Sequence, residues 1–136
     1  MVRLIMASNG AGKTKQLIDL VRSTAEVENG SIVCIEPKTN MTFDIPYSVR
    51  LVTAGEYGIN SFECLRGFVS GLYAGNYDIS HVFVDNLCKI AGSRDPQAVE
   101  NFLNWLDVFS ENNQVKFTVT ISGDESEVTE GMKKYM

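Results

Sequence analysis

The chain has 136 residues, 44% of them apolar and 21% charged, with a formal net charge of −5. That length is expected to build one domain, residues 1–136, around a single core. The charge disfavours nucleic acid as a partner, because neutralising phosphates needs clustered Lys and Arg and only Lys133-Lys134 cluster. No apolar run approaches the roughly 18 residues that cross a bilayer, and no secretory leader is visible, so no membrane partner is expected. Cys34, Cys64 and Cys88 are odd in number and widely spaced. They read as buried thiols of a reducing compartment, with a cytoplasmic location expected, and not as a disulfide or zinc framework.

In chain order, Val2 to Met6 is a short apolar run followed by glycines, which favours a buried strand. From Lys13 the spacing turns helical, with Leu17, Leu20, Val21, Thr24 and Val27 on one side and Asn29-Gly30 as a stop. Ser31 to Ile35 is a second buried strand, closed by Glu36-Pro37. Met41, Phe43 and Ile45 alternate with polar residues as in a short edge strand or arm, and Val49 to Val52 form another core strand. Asn60 and Glu63 have the spacing of a capping box ahead of a stripe of Phe62, Leu65, Phe68, Val69, Leu72 and Tyr73. Gly67 and Gly71 within that stripe predict close helix–sheet contact.

His81 to Val84 is again a buried strand, with His81 at its boundary and an acid, Asp85, at its end. Asp95-Pro96 starts a helix, an acceptor at the N-cap and a preset φ at the first position. Its apolar face is Val99, Phe102, Leu103, Leu106 and Phe109, with Trp105 at the margin. Val115 to Ile121 is the last strand, and residues 123–136 read as a loose or partner-docked tail. Alternating strands and helices predict an α/β fold with a mostly parallel sheet of about five strands flanked by helices.

Ala7-Ser8-Asn9-Gly10-Ala11-Gly12-Lys13-Thr14 matches the phosphate-binding P-loop pattern with Ala in place of its first Gly. The spacing suits an anion: glycines let the backbone curl with its N–H groups inward, and the following helix N-terminus adds partial positive charge. Lys13 would carry a mobile charge to the β and γ phosphates, and Thr14 a hydroxyl to Mg2+. Asp85, ending an apolar strand, would be the acid that reaches magnesium in P-loop folds, usually through water; an acid in that place also reads as a turn or N-cap residue.

On the loop, the Asp85 strand and the strand–helix order, the chain resembles the RecA-like and thymidine-kinase-like branch of P-loop NTPases. As a whole it is also similar to small standalone proteins labelled twitching-motility ATPases. The resemblance implies a P-loop NTPase fold that binds ATP, or another nucleoside triphosphate, with magnesium and hydrolyses it slowly. A nucleoside or small-molecule kinase and a non-catalytic nucleotide sensor are the alternatives. The thymidine-kinase pattern is departed from twice: Asn86 replaces its glutamate after the acid, and its four-cysteine zinc lasso is missing.

Glu36 ends the second strand where RecA-like ATPases often carry the acid that orients water. It reads equally as a solvated loop acid before Pro37. Ser122 resembles the polar sensor of the γ-phosphate in the same class, or is part of a Ser-Gly-Asp turn. Arg94, in the loop after Asp85, is a candidate charge-stabilising finger; otherwise a protein partner or a second copy of the chain would supply that arginine.

Overall fold

The computed structural model describes residues 1–7, 12–39 and 44–136, without the side chains of Ala7 and Lys13. Ser8, Asn9, Gly10 and Ala11 of the loop, and Met41 and Phe43 of the expected arm, therefore lie outside the described residues.

Five strands, β1 (Val2–Ala7), β2 (Ser31–Glu36), β3 (Val49–Thr53), β4 (Ile79–Val84) and β5 (Lys116–Ser122), form one sheet in the order β1-β5-β4-β2-β3. Every pairing is parallel, so the sheet is wholly parallel where a mostly parallel one was expected. Near-continuous apolar strands account for this: β2 and β4 are buried on both faces, which only helices on both sides can provide.

Helix α1 (Lys13–Val27) covers one face, with Leu17 and Val21 packed on Ile32, Cys34, Val49 and Phe83. The other face takes α2 (Phe62–Gly75), the short α3 (Leu87–Ala91) and α4 (Pro96–Asn113). Phe102, Leu103 and Leu106 of α4 are completely buried there against strand residues such as Phe117 and Val119. Val27, assigned to the apolar side of α1, is exposed where the helix runs past the sheet. Asp95 caps α4 as its sequence predicts, accepting from the Ala98 amide at 3.0 Å.

Three other local expectations are corrected. The N-cap of α2 is Ser61, one residue after Asn60, and its hydroxyl accepts from the Cys64 amide at 3.0 Å in place of the expected Asn60/Glu63 box. Gly67 and Gly71 face open space, so they do not allow close helix–sheet contact. A close approach is found instead at Gly30, in the turn between α1 and β2, where a Cβ would stand 2.7 Å from the Asp78 carbonyl oxygen. Lastly, residues 123–136 are not a loose tail. Two 3-10 turns, Glu125–Glu127 and Glu130–Tyr135, bury Met132 and Tyr135 in the core. Thr129 donates to Glu100 at 2.6 Å and the Tyr135 hydroxyl to Asn104 at 2.6 Å, fastening the segment to α4. Two apolar side chains among polar ones give no periodic signal, which hid this docking from the sequence.

Candidate functional site

Side chains alternate across a strand, so the sheet's parity decides which residues share a face. Ile32, Cys34 and Glu36 alternate along β2, with Ile32 and Cys34 against α1. Phe83 of β4 packs on the same face, and Asp85 follows two residues later. The register pairs Cys34 with Phe83 and Ile35 with Val84, bringing Glu36 level with Asp85. On β5, Val119 pairs with Val84, which sets Thr120 beside Asp85. Asp85, Glu36, Thr120 and Ser122 thus line the carboxyl edge on the side from which α1 rises.

The edge is stepped. Ala7 pairs with Ser122, so β1 and β5 run on two residues beyond the level of Asp85 and Glu36, about 7 Å at strand rise. The two acids lie in the resulting notch, on neighbouring strands about 5 Å apart. Both are buried, Glu36 completely. Their shared negative field is felt by Cys34, whose thiol is pushed up first by its own burial and then by the charges of Asp85 and Glu36. Cys88 is also pushed up by burial, so neither buried cysteine is a thiolate nucleophile at neutral pH. Cys64, expected to be buried, is exposed.

Asp85 is held from both sides. The Thr120 hydroxyl donates to its Oδ1 at 2.9 Å, while the Asn86 amide donates to Thr120 Oγ1 at 2.8 Å. The Asp85 amide in turn donates to the Ile35 carbonyl at 2.8 Å. Thr120 is a positioning residue that sequence reading missed, since a Thr inside a strand looks like ordinary β propensity. Asn86 has φ 55°, the left-handed region that Asn tolerates better than Glu or a branched residue, and it opens α3.

Gly12 caps α1 at φ 77°, a conformation strained for any residue with a Cβ. No side chain bonds to this helix start among the described residues, and its first turn carries no acid. Thr14 is exposed in that turn. The Lys13 side chain, like the 8–11 loop, lies outside what is described.

Arg94 has a structural duty. Its Nη2 donates to the Ser122 carbonyl at 2.6 Å and to Glu127 at 2.7 Å, and that bond holds the Glu127 carboxyl below its usual range. It ties the end of β5 to the C-terminal segment. His81, read as a boundary residue, is buried within β4 at the opposite end of the sheet. Its Nδ1 is 3.1 Å from Glu28 and its Nε2 2.9 Å from the Thr118 hydroxyl. Because the carboxylate only accepts, Nδ1 carries the proton, and the neutral ring accepts from Thr118 at Nε2. Burial keeps His81 below its ordinary value despite Glu28. Glu28 itself is held below its usual range, where bonds from Lys116 and His81 together outweigh burial.

No protein-family model matches the chain, and the comparison with curated proteins yields no match. No helix among the described residues is long and apolar enough to cross a membrane.

Proposed function

We propose that the chain binds a nucleoside triphosphate, ATP foremost, with magnesium at this carboxyl edge, as a P-loop NTPase, and hydrolyses it slowly. One observation carries the reading: two buried carboxylates, Asp85 and Glu36, share the notch on the sheet face from which α1 rises directly after the glycine loop. A cation bound in the notch would feel both buried charges at short range. A helix start lacking both acid and side-chain cap, directly after a glycine loop, suits the phosphates.

The residues fit magnesium, which keeps much of its water and takes one or two carboxylates beside phosphate oxygens. Asp85, with Oδ1 fixed by Thr120, and Thr14 in the first turn of α1 would hold it. When bound, magnesium supplies charge that offsets the phosphate oxygens. Gly12, Lys13 and the 8–11 loop bind and orient the triphosphate.

Glu36 orients the attacking water and takes up its proton, a duty Asn86 cannot perform because an amide does not ionise. Ser122, standing above the notch at the end of β5, reads the γ-phosphate. Arg94, engaged by Ser122 and Glu127, is not assigned to charge stabilisation. An arginine from a protein partner or second copy takes that role, and its absence keeps intrinsic turnover about 10³ to 10⁵ below the stimulated rate.

The test is calorimetric titration of ATP with magnesium into Lys13→Ala, first checked for folding by circular dichroism. Binding is expected to be lost. Unchanged affinity in the folded variant overturns the reading.

A further inference from the structure

Beside the notch, between the ends of β4 and β5, lies a cavity of about 290 Å³ lined by Asn86, Cys88, Lys89, Arg94 and Ser122. In a chain of net charge −5, its lining among the described residues holds two cations and no carboxylate. Lys89, on α3, forms no ion pair among the described residues. Among the described residues Arg94 makes both of its bonds through Nη2, to Ser122 and Glu127, which leaves Nη1 and Nε as donors there and holds the guanidinium in place.

We propose that this cavity is a second anion site, bordering the nucleotide site at Ser122 but not requiring Lys13, that takes the phosphate group of a small molecule held beside the nucleotide. The volume is at the lower limit of ligand pockets, right for a compact oxyanion and too small for a second nucleotide. The donors suit it chemically: an ammonium and a guanidinium fork supply charge-assisted bonds to acceptor-only oxygens. Glu127 is no barrier, because it engages only Nη2 and its half-exposed pairing with Arg94 is weakened by solvent. As an anion site this stands on the cavity alone; the position beside a nucleotide rests on the function proposed above.

Inorganic phosphate and glycerol 3-phosphate are titrated separately into the protein and followed by amide chemical shifts, for the wild type, Lys89→Glu and Lys13→Ala. Lys89 is exposed, so its replacement leaves the fold intact. The amides of 86–94 and 122 are expected to shift in the wild type and in Lys13→Ala. In Lys89→Glu, affinity there is expected to fall at least about tenfold, with any shifts at 12–14 retained. Glycerol 3-phosphate binding as well as phosphate marks a phosphorylated metabolite as occupant; phosphate binding alone marks the free ion.

The proposal is overturned if the 86–94 amides stay still in the wild type, or respond equally in Lys89→Glu. It is also overturned if they lose their response in Lys13→Ala, since one loop site would then explain everything. Shifts at 86–94 with none at 12–14 would count against the nucleotide reading and leave this site standing.

Discussion

Thr120→Val tests the architecture of the notch. Val keeps the branched shape at a position with no exposure, so packing changes little while one hydroxyl disappears. That hydroxyl donates to the Asp85 carboxylate and accepts from the Asn86 amide. The bond to a charged group is worth about 1.5–3 kcal/mol, and a buried N–H left without an acceptor costs about 1–3 kcal/mol. The added methyl returns about 1 kcal/mol. A net loss near 3 kcal/mol is expected, a large part of the stability of an ordinary domain. In urea unfolding at pH 7 this lowers the midpoint by about 1–3 M. Thr120→Ser, which keeps the hydroxyl, should lose only about 1 kcal/mol. A Val variant within 1 kcal/mol of the wild type, or a Ser variant as damaged as the Val one, would refute the claim that Thr120 acts through its hydroxyl.

Glu36→Gln should retain ATP affinity and lose single-turnover phosphate release by about 10² or more; equal release rates would move the water-orienting role elsewhere. For His81, burial favours the neutral ring, so its folded pKa lies below the ordinary 6.5. As the pH falls through 6.5 the unfolded chain takes the proton first, and stability present above 6.5 declines until the folded ring also titrates. An imidazole titration by NMR, simple because the chain has one histidine, should give a value below 6.5; one above it would mean Glu28 outweighs burial. Met132→Ala should cost about 2–5 kcal/mol by thermal or urea unfolding, whereas a loose segment would cost nothing.

Much of the sheet was legible because its strands are continuous apolar runs punctuated by glycine, proline or an acid, and such runs have few other ways to be buried. The start of α4 was equally plain, since Asp95-Pro96 is a local chemical instruction. Strand order was not. Nothing in Val115 to Ser122 says that this segment inserts between β1 and β4, because parallel neighbours are chosen by helix packing far along the chain. The same insertion hid Thr120 and gave Glu36 its position: whether that acid is solvated or buried depends on register with β4, which no single segment encodes. The glycines of α2 misled because helical spacing shows which face a residue lies on but not whether a neighbour covers it. Asn86 was read as a missing base, while the backbone gives it a conformational reason to be there.

The pairing of β1 with β5 has a consequence for the order in which the molecule assembles. Val2 meets Phe117 and Ala7 meets Ser122, so the strand that leads into the glycine loop finds its partner among the last segments of the described chain. Closing a loop of that length costs about 4 kcal/mol beyond a constant contribution, and no intermediate pairing of β1 among the described residues offsets it earlier. β2, β3 and β4 can form a parallel core with α2 while β1 is still unplaced. Contacts this distant in sequence slow folding and leave an apolar strand exposed in the meantime. The β1 and β5 side of the notch is therefore expected to be completed last, and damage to β5 or the segment docked behind it would disturb the notch before it dissolved the rest of the sheet.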